Sequence, residues 1–188
     1  MQKLIVGALA LGLSLALPAW AQSKDAAKGV DRKDASALKE LAGADLAEVA
    51  GGKLAVEKAQ SEDVKKFGQH MQDDHGQNLT EVQKLAEAKG IDLPSQPPKK
   101  HQAMAKKLES QSGDRFDKAY MDAMVKDHQE DVRKLNAAAK SAKDPEIKAT
   151  LEKTAQTVES HLKMAQDIQK GLGRTASNGS SSRTSSSK

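Results

Sequence analysis

The chain has 188 residues, with 30 Lys and Arg against 26 Asp and Glu, five His, no Cys and a hydrophobic fraction of 37%. Without cysteine there is no disulfide staple, no thiolate nucleophile and no thiolate metal ligand. One Trp, one Tyr and two Phe are too few for the stacking platforms of nucleic-acid binders.

At the N-terminus, Lys3 is followed by an apolar run from Leu4 to Leu17 and then Pro18-Ala19-Trp20-Ala21. Small residues at Ala19 and Ala21 close a secretory signal peptide over residues 1–21. The run is shorter than the roughly 20 apolar residues a spanning helix needs, so no transmembrane segment is expected after cleavage. Beyond the signal, Arg174, Arg183 and Lys188 carry the whole positive excess, and residues 22–170 sum to zero. The pI near 9.1 is therefore a property of the tail, and no nucleic-acid partner is expected. Export to the periplasm is the expected destination.

Residues 22–33 are polar and read as a flexible leader. Residues 171–188 are Ser/Gly/Thr-rich and read as a disordered basic tail. Residues 34–170 form the domain, rich in Ala, Leu, Lys, Glu and Gln at helical periodicity, with no alternating β-branched run. The expected class is all-α. A first helix starts near Asp34 or Ser36 and runs to about Gln60, burying Leu38, Ala42, Val49 and Val56. Ser61 caps a second helix, with Glu62 and Asp63 in its first turn and Gly90 after its end. Lys99–Ser110 reads as a short amphipathic helix in a Pro-containing connection. Asp114 caps a further long helix to about Ala142, and Asp144-Pro145 opens the last one towards Lys170. Two short turns and one long crossover predict a ferritin-like four-helix bundle of two antiparallel hairpins; an up-down-up-down bundle is the alternative.

The chemistry concentrates in a repeated Met-x-x-Asp-His. Met71, Asp74, His75 and Asn78 match Met124, Asp127, His128 and Asp131 at an offset of 53. At about 100° per residue, His75 and Asn78 fall inside the apolar stripe set by Val64, Phe67, Met71, Val82 and Leu85. His128 and Asp131 fall inside the equivalent stripe, with Asp74 and Asp127 at the edges. His161 lies about 60° from the centre of the stripe through Ile147, Leu151, Thr154, Val158 and Ala165. His70 points outward and His101 sits in the linker. Glu48 lies on the flank of the first helix's stripe, with Asp45 nearer its centre.

Counting residues from each turn places Glu48 with His75, and His128 with His161, within roughly 5 Å of the same height. A mid-bundle Glu48/His75/His128/His161 set suits a divalent transition metal such as copper, zinc or iron. Asp74, Asp127, Asn78 and Asp131 are placed to orient the ligands. Met71 and Met124, four residues before His75 and His128, are candidate soft ligands, although methionine is also an ordinary core gap-filler. The competing reading is a buried polar network that fixes helix register in a non-catalytic envelope stress or interaction protein.

The runs Glu48-Val49-Ala50-Gly51-Gly52-Lys53-Leu54-Ala55, Val64-Lys65-Lys66-Phe67, Leu93-Pro94, Phe116-Asp117-x-x-Tyr120-Met121 and His161-Leu162, with the paired Asp-His motif, resemble one exported bacterial family. It is the domain of unknown function 4142, and the resemblance covers about residues 34–168. It implies a ferritin-like bundle in the cell envelope, where members are often labelled outer membrane proteins. Ferritin-like di-iron sites use Glu-x-x-His, but Gln72, Val125 and Val158 precede the three histidines. No nucleophile elbow, His-Glu-x-x-His or phosphate loop occurs, so nothing supports nucleophilic catalysis, and a redox enzyme with a two-metal centre is the weakest of the readings.

Overall fold

The structure, a computed structural model, describes residues 29–182. The expected signal peptide, most of the leader and the last six residues lie outside the described residues. Five helices and no strand occur among those described: α1 (Arg32–Lys58), α2 (Glu62–Ala88), α3 (Lys99–Glu109), α4 (Gly113–Ser141) and α5 (Pro145–Ser182).

Local chemistry sets the helix ends. Asp31 accepts the Lys33 N–H at 2.9 Å and starts α1 a little earlier than its sequence suggests. Gly90, at φ 65°, stops α2 while the Ile91 N–H returns to the Ala86 carbonyl at 2.8 Å. Asp144 Oδ1 accepts the N–H groups of Glu146 and Ile147 at 3.0 and 3.1 Å, just where Pro145 opens α5. Ser61 precedes α2 but its side chain makes no capping bond. Likewise α4 begins at Gly113 after Ser112, and Asp114 falls in the first turn rather than at the cap.

The two hairpins, α1–α2 and α4–α5, pack with α1 beside α4 and α2 beside α5. That leaves α2 and α4 on one diagonal and α1 and α5 on the other. The long connection carries α3 along α1 and α4. It returns the chain to the end where α2 began, so α2 and α4 run parallel.

A reciprocal pair of buried aspartates joins the hairpins. Asp117 of α4 accepts the N–H groups of Gln60 and Ser61 at 3.0 and 2.7 Å, in the α1–α2 turn. Asp34 of α1 accepts those of Lys143 and Asp144 at 3.0 and 2.8 Å, in the α4–α5 turn. Donors and acceptors are related by one offset of 83 residues, so the hairpins are pseudo-twofold copies that cap each other's turns. The α1–α2 crossing is also close: a Cβ on Gly52 would stand 2.5 Å from the Gly68 carbonyl oxygen.

The apolar core is in two parts. One, towards the Asp34 end, holds Leu38, Leu41, Val82, Ile147, Leu151 and Val158. The other holds Phe67, Met71, Phe116, Tyr120, Met121 and Met124, with Leu108 of α3. Asp45, Glu48, His75, Asp127, His128 and His161 are buried as well and supply the polar side chains at mid-bundle.

The helix boundaries and the buried face of α1 differ in part from expectation. Val56 is exposed and Val49 half-buried, because the inward face of α1 runs through Leu41, Asp45, Glu48, Gly52 and Ala55 instead. The last helix passes Lys170 and continues to Ser182. Gly171 and Gly173 have no positive φ to stop it, and Leu172 packs on the Phe67/Phe116 cluster.

Asp34→Ala and Asp117→Ala should each strip two buried N–H groups of their acceptor and cost about 1–3 kcal/mol in urea denaturation. Because the two sites lie at opposite ends of the bundle, the double variant should lose the sum. A much smaller double loss would mean the hairpins do not depend on these caps.

Candidate metal centre

Position along the helices brings His75 of α2, His128 of α4 and His161 of α5 to one level. All three are buried, at 5%, 1% and 1% exposure. Their ring centroids are 6.0 Å apart for His75–His128, 5.3 Å for His75–His161 and 5.8 Å for His128–His161. One nitrogen from each lies within 4.8 Å of the others.

The outward nitrogens are all held. His75 Nδ1 meets Asp45 Oδ1 at 2.8 Å, His161 Nε2 meets Asp74 Oδ2 at 2.8 Å, and His128 Nδ1 meets the Met124 carbonyl at 3.0 Å. A carbonyl can only accept, and an ionised carboxylate does the same, so each imidazole donates outward. In the neutral ring, the other nitrogen must then present a lone pair. Those atoms, His75 Nε2, His128 Nε2 and His161 Nδ1, are buried and have no hydrogen-bond partner. With all three rings neutral, these are three acceptors with no donor among them. Asp45 is itself fixed by Asn78 Nδ2 at 2.8 Å, and Asn78 Oδ1 accepts from Thr154 at 3.0 Å, tying α1, α2 and α5 together.

Electrostatics divides the histidines. Burial, with the charges of His75 and His161, pushes His128 down to about 3. Burial also lowers His161, against the opposing hydrogen bond from Asp74. For His75, burial disfavours the charged ring, but the Asp45 hydrogen bond and the charges of Glu48, Asp45 and Asp131 outweigh it and raise the pKa.

The other candidate residues are placed as follows. Glu48 is buried with Oε2 unpartnered, yet it is not one of the group whose ligand atoms converge. Burial raises its carboxyl to about 7. Asp127 faces the crossover, taking Lys100 Nζ at 3.3 Å, while Asp131 is half-buried and raised to about 6 by burial and by Asp127. The second Asp-His pair therefore does not repeat the first: Asp74 orients a histidine and Asp127 does not. Met71 and Met124 are buried in the Phe67/Tyr120 cluster. His70 is exposed; His101 lies on α3, its Nε2 3.8 Å from Asp127 Oδ2. The direct Asp45–His75 contact and the Asn78–Thr154 link are the features the sequence reading missed. The position of Asp45 near the centre of the α1 face was the available signal.

This is a four-helix bundle with three converging buried imidazoles, and comparison places it in a family. Residues 19–168 match the family model described as "Domain of unknown function (DUF4142)", and the chain belongs to that family. No curated protein matches. Among solved structures, a DUF305 chain from Streptomyces coelicolor, named as a secreted protein, superposes with TM-score 0.66 at 15% identity, covering 75% of this chain and 92% of its own. A DUF305 fragment from Deinococcus radiodurans gives TM-score 0.68 at 12% identity, covering 78% and 99%. At these identities the likeness is one of fold. No helix among the described residues is long and apolar enough to cross a membrane.

The raised carboxyl of Glu48 gives a pH test on metal-free protein. Folded Glu48 keeps its proton up to about 7, against 4.5 ordinarily, so the native state binds more protons between those values. The stability it contributes is complete below about pH 4.5 and is lost as pH rises through about 7. Glu48→Gln should therefore gain on the parent chain by about 2–3 kcal/mol between about pH 4.5 and 8 in urea denaturation. A difference independent of pH would contradict this.

Proposed function

We propose that this protein is an exported cell-envelope bundle that binds one divalent transition metal through His75 Nε2, His128 Nε2 and His161 Nδ1. The observation that carries the reading is that one nitrogen from each of the three histidines lies within 4.8 Å of the others, where each ring also has one buried nitrogen without a hydrogen-bond partner. Three imidazoles with an open fourth position suit Zn²⁺ or Cu²⁺, with Fe²⁺ less well matched. Asp45, Asp74 and the Met124 carbonyl act as the outer partners that metal-bound histidines ordinarily have. Glu48 is the candidate for the remaining position, given its free buried oxygen and its charge coupling to His75. Export is supported by the Met1–Ala21 signal pattern and by the Streptomyces neighbour named as a secreted protein, and the periplasm is the proposed destination. Outer-membrane association rests on the family resemblance alone.

A second reading has its own support. The hydrogen bond and charges that raise the His75 pKa also favour an imidazolium–Asp45 pair, in which the layer is a structural polar network. Untagged protein, stripped of metal and given one equivalent of Zn²⁺ or Cu²⁺, separates the two. Metal binding predicts one retained ion per chain after desalting and about 3 kcal/mol of added stability at a free concentration a hundred times Kd. Both effects should disappear in His128→Ala. No retained ion, with His75→Ala destabilising equally with and without metal, would leave the structural network.

A further inference from the structure

Between α1 and α4, beneath the start of α3, lies a cavity of about 500 Å³. Its mouth is flanked by the exposed Lys33, Glu40 and Lys134, and its roof is Pro98, Lys100 and His101 of the crossover. Deeper in, Leu41, Leu135, Leu151 and Val158 form an apolar wall, and the His75–Asp45 pair closes one side. The volume lies within the range of small-molecule sites, which are mostly apolar with a few placed polar groups.

Two observations define what would fit. Five carboxylates line the space against three lysines, so the lining favours positive charge. Among the carboxylates, Asp127 is only 3% exposed; Oδ1 takes Lys100 Nζ at 3.3 Å, but Oδ2 is buried with no hydrogen-bond partner. His101 Nε2 stands 3.8 Å from Oδ2, too far to donate, and His101 Nδ1 is buried and unpartnered too. A desolvated carboxylate oxygen is costly until a donor reaches it. A metal ion is not the matching occupant: among the described residues the only converging ligand group is the histidine trio.

We propose that the cavity binds a small organic cation, a primary ammonium on a ring or short apolar chain, with Asp127 Oδ2 receiving the ammonium and the leucine and valine wall the apolar body. The site does not depend on the metal reading, so it is tested on metal-free full-length chain. Amide shifts in ¹H–¹⁵N spectra are followed during titration with phenethylamine, 2-phenylethanol and 3-phenylpropionate. The amine should saturate, with shifts confined to the lining segments around residues 33–45, 75, 99–101, 127–138 and 151–158, and both other probes should bind at least about tenfold more weakly. Asp127→Asn should weaken the amine about tenfold. Ala44→Phe, which fills the cavity from a half-buried wall position, should abolish binding while the chain still melts cooperatively. Absence of saturable shifts, equal affinity for the three probes, undiminished amine affinity in Asp127→Asn, or amine binding that survives Ala44→Phe would overturn the proposal.

Discussion

Three imidazoles that each donate outward and leave a lone pair pointing inward are the constraint around which this bundle is organised. A buried acceptor without a donor is destabilising, and three of them in mutual contact more so. With neutral rings the chain holds His75, His128 and His161 in that state, with an outer partner for each ring. The surrounding core divides accordingly: an aliphatic cluster towards one end and an aromatic and methionine-rich one towards the other. Such a layer persists only if the packing on both sides over-determines it, or if a cation joins it.

Reciprocal capping by Asp34 and Asp117 supplies part of that rigidity. Each hairpin closes the turn of the other, which fixes the relative height of all four long helices, and with it the level at which the histidines meet. The pseudo-twofold relation does not extend to the site. At the offset of 83, Asp45 corresponds to His128 and Asn78 to His161, so positions that orient in one hairpin present a ligand nitrogen in the other. The repeat thus fixes the frame, while divergence within it makes one asymmetric centre.

Much of this was legible in the sequence. Asp144-Pro145, Gly90 and the Lys99 segment placed helix ends and the crossover, because capping and left-handed glycine are local effects. The inward set of Val64, Phe67, Met71, His75 and Val82 followed from the 3.6 period. What escaped depended on tertiary partners. Val56 keeps the period of Leu38, Ala42 and Val49, yet at that end of α1 the buried face has moved round to Gly52 and Ala55, and Val56 is exposed. The two Asp-His pairs look identical, and only the packing of α5 against α2 and of α3 against α4 gives Asp74 a histidine and Asp127 a lysine. The cavity beneath α3 was invisible for the same reason.

The account is tested most directly by X-ray absorption at the Zn edge on stoichiometrically loaded, untagged protein. It predicts three imidazole nitrogens among the near scatterers at about 2.0 Å, with one lost in His161→Ala. Zinc bound through one imidazole or none would show that the three rings do not act as a single centre.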